Sequence, residues 1–166
     1  MSASAGDPRA RLQALGLTLP VPPAPVAAYV PTITTPLGGG RVMLAVSGQV
    51  PIRDGRPVAI GRVPDEIDID TAVECARLCG LNLLAQIEAA VGLDAVQQVL
   101  ALTGYVRCAD GFGDQPRVLN GASELLVEVL GDAGRHTRAA VGVNALPFGV
   151  PVEVSALVVA ITADRS

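Results

Sequence analysis

The sequence predicts an α/β sandwich, one mixed sheet of about six strands with two long helices laid on one face. Two observations carry this. Residues 68–92 and 111–131 repeat apolar side chains at helical period between capping residues. Around them lie Val-rich runs bounded by glycine and proline turn signals, which suit strands buried under helices.

Taken in order, "DPRARLQALGL" predicts a short helix ended by Gly16, and "TLPVPPAPVAA" an extended proline-rich arm. "AYVPTITT" reads as a first strand and "RVMLAVSGQV" as a second. Gly38-Gly39-Gly40 between them is a hairpin turn, because a phosphate-binding loop would lead into a helix. "RDG" is turn chemistry before a short strand at Arg56–Ile60. The first long helix starts at Asp68, Asp70 and Thr71, with Thr71 and Glu74 at capping-box spacing, and ends at Gly92. "VQQVLALTGYVRC" is a buried strand. The second helix has Asp114 at its N-cap, Pro116 in its first turn and Gly131 past its end. Gly111-Phe-Gly113 lacks the third glycine of a dinucleotide fingerprint. Strands His136–Val143 and Val152–Ile161 close the chain. Residues 1–26 are thus a short helix and arm, and residues 27–166 a single domain.

Half of the 166 residues are hydrophobic and only 17% are charged, so a monomer would struggle to clothe its surface. An obligate homo-oligomer is expected. The net charge of −4 and the scattered basic residues leave no footprint for nucleic acid. Cys75, Cys79 and Cys108 have no disulfide-framework spacing, and one histidine leaves zinc short of ligands. No apolar run approaches a membrane span or a signal peptide, so a soluble cytoplasmic protein is expected.

The last two strands each carry one charge, Arg138 and Glu153. Strand period puts Ala139, Val141 and Val143 on one face and Arg138, Ala140 and Gly142 on the other. Val152, Val154, Ala156 and Val158 lie opposite Glu153 and Ser155 in the same way. If the two strands pair as a hairpin centred near Ala145–Leu146, Arg138 faces Glu153 across a hollow of small residues. A guanidinium in such a hollow is a receptor for a carboxylate. The plainer alternative is a salt bridge neutralising two charges at an interface. His136, two residues before Arg138, shares its face, but a strand-entry residue is more often solvated. Ser47-Gly48-Gln49 ends a strand whose main-chain groups could meet a ligand, though strand termination explains it as well.

"TRAAVGVNALPFGVPVEVSALVV" resembles the closing signature of the RidA/YjgF family of reactive-intermediate deaminases, also labelled endoribonuclease L-PSP-like. "VSGQVP" is similar to its second-strand motif and "VLNGASELLVEVLG" to its second helix; the likeness runs from about Ala27 to Ala160. It implies a chorismate-mutase-like fold and a homotrimer with three clefts between subunits. It further implies hydrolysis of enamines and imines, 2-imino acids such as 2-iminobutanoate and 2-iminopropanoate, without a cofactor. By the resemblance Arg138 grips the substrate carboxylate, Glu153 positions the attacking water, and Tyr29 and Asn120 line the pocket. Ala140 stands at a pocket position often occupied by cysteine. That substitution and the proline-rich arm mark a divergent branch. A non-catalytic trimer binding a small carboxylate is the alternative from a different class; Glu153, which mere binding does not need, favours the enzyme. RNA cleavage is the third reading, and the acidic balance argues against it.

Overall fold

The computed structural model describes residues 6–22 and 28–162. Helix α1, Pro8–Ala14, is capped by the Asp7 carboxylate, which accepts from the Arg9 backbone N–H at 2.9 Å; Gly16 follows at φ 68°. Its Leu12 is buried in the core, and Arg9 pairs with Glu88 and Asp94. Of the expected proline-rich arm, residues 23–27 lie outside the described residues.

Strands β1, Thr32–Gly38, and β2, Arg41–Gln49, form a hairpin through Gly39 and Gly40, both at positive φ as a two-residue turn requires. The first strand therefore begins later than the expected Ala28, which lies in a bend with Tyr29. Pro36 is tolerated within it because β1 is an edge strand. Short strands β3, Ile52–Arg53, and β4, Arg56–Pro57, make a separate ribbon turning at Asp54-Gly55. The main sheet thus holds five strands rather than about six.

Helix α2, Ile69–Ala90, starts at Asp68, whose carboxylate accepts from the Thr71 backbone N–H at 2.7 Å. Asp68, three residues before Thr71, takes the capping position in place of the expected Thr71–Glu74 pair. Strand β5, Val96–Arg107, is followed by helix α3, Gln115–Leu130. Asp114 occupies the N-cap position of α3, but its side chain accepts no capping bond. Strands β6, Thr137–Val143, and β7, Val152–Ile161, close the chain.

The sheet order is β1-β2-β7-β5-β6, with β5 and β6 parallel and every other pair antiparallel. This overturns the expected β6–β7 hairpin. Helix α3 carries the chain from β5 back to a parallel neighbour, the usual crossover. The eight residues 144–151 then pass the end of β5 and place β7 on its other edge. Strand β5 therefore lies between the two strands that bear Arg138 and Glu153.

Both long helices cover one face. Leu44, Val46, Val99, Leu102, Val106, Val152, Val154 and Val158 point from the sheet into that layer and are all buried. The helices meet through small residues: a Cβ on Gly121 would lie 2.1 Å from the Val73 carbonyl oxygen, and one on Gly80 would lie 3.2 Å from Ala122 Cα. A methyl on Gly121 meets backbone, which cannot rotate away. Gly121→Ala should therefore cost about 1–3 kcal/mol, the usual range for overpacking. The check is a lower urea midpoint at unchanged slope, and an unmoved midpoint would show that the helices separate freely.

Candidate functional site

Arg138 lies on edge strand β6, opposite Leu102 of β5 and so on the helix-covered face. Its side chain runs beneath α3. Nη1 donates to Asn120 Oδ1 at 3.0 Å and to Ser123 Oγ at 3.0 Å, and Nη2 donates to the Pro116 carbonyl at 3.1 Å. Asn120 and Ser123 are three residues apart on the helix and so share a face. All three acceptors are neutral. They aim the guanidinium without cancelling its charge, whereas Arg9, Arg62, Arg77, Arg117 and Arg135 each pair with a carboxylate. Three of a guanidinium's five N–H donors are used, which leaves Nε–H and one Nη2–H for a ligand.

Ala140 and Gly142 continue the same row along β6. A Cβ on Gly142 would lie 2.8 Å from Cys108 Sγ and 2.9 Å from Gln115 Nε2, so the strand passes close under the start of α3 only because this position is bare. Ala140 packs against the core.

Glu153 lies elsewhere. It pairs with Tyr105, and successive residues alternate faces, so it projects from the face the helices leave open. The expected arrangement, Arg138 and Glu153 opposed on one face, does not occur within a protomer. The alternation read within each strand is correct; the two valine rows, however, face opposite sides of the sheet. Glu153 lies over an irregularity in β2, between Val46 and Gln49, where a Cβ on Gly48 would come 1.9 Å from its Oε1. Among the described residues nothing donates to its carboxylate, and burial alone pushes its pKa up.

Tyr29 lies in the bend before β1 and is exposed. The carbonyl of the adjacent Val30 accepts from Ser47 Oγ at 2.7 Å, which ties the bend to the Ser47-Gly48 irregularity. The predicted residues thus form two groups: Arg138, Asn120 and Ala140 under α3, and Glu153 with Tyr29 near the β2 irregularity. Ser123 was not singled out in the sequence, and Gly48 only as part of Ser47-Gly48-Gln49, for its main-chain groups and not for the space it leaves Glu153. Ser123 was detectable as the i+3 neighbour of Asn120. The space at Gly48 was not, because it depends on the β2–β7 register.

Residues 9–160 match the family described as "YjgF/chorismate_mutase-like, putative endoribonuclease". The chain belongs to this family. It is 40% identical over 157 residues to Protein TCP17 of Trypanosoma cruzi, covering 93% of this chain and 95% of that one. The crystal structure of Atu1372 from Agrobacterium tumefaciens, of unknown function, is 42% identical, with a TM-score of 0.81 and coverage of 93% and 92%. A Shewanella oneidensis MR-1 protein described in the same endoribonuclease terms is 30% identical, with a TM-score of 0.83 and coverage of 92% and 99%. Among the described residues, no helix of this YjgF-family chain is long and apolar enough to cross a membrane.

The raised Glu153 pKa has a consequence for stability. A carboxyl group whose folded pKa exceeds its unfolded value, ordinarily about 4.3, binds more protons folded than unfolded between the two. Stability therefore falls as pH rises through that window and stays lower above it. Glu153→Gln should match wild type in Tm below pH 4 and exceed it increasingly as the wild-type carboxyl ionises. A Tm difference that does not vary with pH would remove the burial argument.

Proposed function

We propose that the protein hydrolyses small enamines and imines carrying a carboxylate, 2-imino acids, to 2-keto acids and ammonia. The observation that carries this reading is a pair of uncompensated charges. Arg138 is aimed by neutral acceptors, and Glu153 is half-buried with no cation paired to it among the described residues. A structural ion pair would have joined them, and such charges are otherwise costly to hold.

Because the two groups project from opposite faces, a site using both lies between copies of the chain. One protomer supplies Arg138 and its neighbour Glu153. The open sheet face supports self-association: Ile33 on β1, Val141 on β6, and Leu157 and Ile161 on β7 are large, apolar and exposed. We place three such sites in a homotrimer, with Asn120 and Ala140 lining the arginine side and Tyr29 the glutamate side. Their cleft requires no cofactor.

The chemistry needs little apparatus. Arg138 binds the carboxylate through charge-assisted hydrogen bonds and fixes the imine carbon. A water oxygen attacks the carbon of the protonated imine while Glu153 takes one water proton, giving a neutral carbinolamine. Glu153 returns that proton to nitrogen and then takes the hydroxyl proton as the C–N bond breaks, so that ammonia leaves and the carbonyl forms; the proton finally passes to the released ammonia. A carboxylate with a raised pKa is a better base for this step. RNA cleavage is not favoured, since the chain is acidic and its basic residues are scattered along the sequence.

The test is a coupled assay in which an amino-acid oxidase generates a short-lived imine and 2-keto acid release is followed. Wild type should accelerate release, and Arg138→Ala should lower kcat/KM by about 10- to 100-fold, the worth of hydrogen bonds to a charged group. Glu153→Gln should lower kcat by about 10²- to 10⁴-fold. Gly48→Ala should act on the same step, because its methyl displaces the end of a flexible side chain and leaves the fold intact. Binding of a 2-keto acid without acceleration of any imine would instead assign a carboxylate-binding module.

A further inference from the structure

The Arg138 guanidinium ends a hydrogen-bonded chain that the reaction above does not use. His136 Nδ1 lies 2.6 Å from the Gly134 carbonyl oxygen, and Nε2 lies 2.9 Å from Ser123 Oγ. Ser123 Oγ in turn accepts from Arg138 Nη1 at 3.0 Å. A carbonyl can only accept, so Nδ1 carries the hydrogen and donates. In the neutral ring Nε2 is then an acceptor and takes the Ser123 hydroxyl proton. That leaves a serine lone pair for the guanidinium. The direction of every bond follows from one backbone carbonyl.

We infer that His136 and Ser123 are positioning residues for Arg138, which hold its guanidinium in the orientation that receives a substrate carboxylate. This rests on the carboxylate-anchoring role proposed for Arg138. Arginine has a long side chain with much rotamer freedom, and among the described residues no carboxylate restrains it. Its restraint is the wall formed by Asn120, Ser123 and the Pro116 carbonyl. Of these Ser123 is a rotor, and its hydroxyl can equally present a proton to the guanidinium. The histidine removes that choice. Both residues also line a groove of about 520 Å³ with Glu124, Val127, Glu128 and Arg135, so the pair stands at a surface a ligand can reach.

A serine within hydrogen-bonding distance of a histidine is also the geometry of an activated nucleophile. Two features decide against it. The Ser123 lone pair already accepts from Arg138. Ser123 also lies in the middle of α3, where backbone N–H groups are committed to helix bonds and cannot form an oxyanion hole.

The experiment compares wild type, Arg138→Ala, Ser123→Ala, His136→Phe and His136→Gln in two measurements, imine hydrolysis and binding of 2-oxobutanoate by calorimetry. Alanine is the better helix former, so Ser123→Ala retains the fold. Ser123→Ala and His136→Phe should raise KM and the 2-oxobutanoate Kd about 3- to 10-fold, the worth of one hydrogen bond. Their kcat should stay within about twofold, because carboxylate placement and not proton transfer is disturbed. His136→Gln carries an amide oxygen that can accept the serine proton, and should return Kd to within about twofold of wild type.

Unchanged Kd in Ser123→Ala and His136→Phe would overturn the inference, as would a fall in kcat at constant KM. So would His136→Gln proving as weak as His136→Phe. If Arg138→Ala binds 2-oxobutanoate as wild type does, the anchoring role itself fails and the inference with it. If Arg138→Ala loses binding while Ser123→Ala does not, only the positioning role fails.

Discussion

The position of β5 is the constraint from which the rest of the molecule follows. It pairs parallel with β6 along one edge and antiparallel with β7 along the other. Both of its edges are thus hydrogen-bonded, and its residues set the register of both neighbours. Gly104, on the helix side of β5, leaves room for Leu119 of α3; a Cβ there would lie 1.9 Å from Leu119 Cδ1. The helix that brings the chain back to β6 is therefore seated on the strand it left. Through this seat, Asn120 and Ser123 reach Arg138.

The same placement divides the charges. Had β6 and β7 paired directly, Arg138 and Glu153 would have formed an internal ion pair, with desolvation offset by their mutual attraction. With β5 between them and the faces reversed, neither charge meets the other within a protomer. The two sides are prepared differently. On the helix side, amide, hydroxyl and carbonyl oxygens aim a cation that remains a cation. On the open side, burial without donors favours the protonated form of a carboxyl group, and Gly48 provides the space it occupies. One arrangement suits holding a charge, the other exchanging a proton.

Most of the fold was legible in the sequence because its signals are local. Helical period, the Gly39-Gly40 turn, Pro116 and Gly131 place the elements within a few residues. Where local signals compete, the structure selects among them: of Asp68, Asp70 and Thr71 it is Asp68 that caps α2, and β1 starts at Thr32 because pairing with β2 fixes its extent. The order of strands was not legible. Eight residues separate β6 from β7, long enough either to turn back or to pass one strand, and nothing in "NALPFGVP" distinguishes these. The site was legible residue by residue, through strand alternation, and not as an assembly. Which face each alternation presents depends on pairing with β5, a non-local fact. Ser123 and His136 illustrate the same limit, since their junction requires the packing of α3 over β6.

The low charge of the chain now has a structural counterpart. A two-layer sandwich needs one apolar sheet face, yet here the uncovered face carries Ile33, Val141, Leu157 and Ile161 as well. A sheet apolar on both sides is ordinarily covered on both sides. Glu153 sits on that second face, next to Tyr105, and its protonation is therefore sensitive to whatever covers it. Whatever covers it acts in two opposed ways: removing water raises the carboxyl pKa further, in the direction set by burial within one protomer, whereas a cation brought beside it lowers it. The protonation of Glu153 is thus tied to the one apolar surface on which it lies. Arg138, on edge strand β6 and on the other face, is held apart from this surface by the sheet itself.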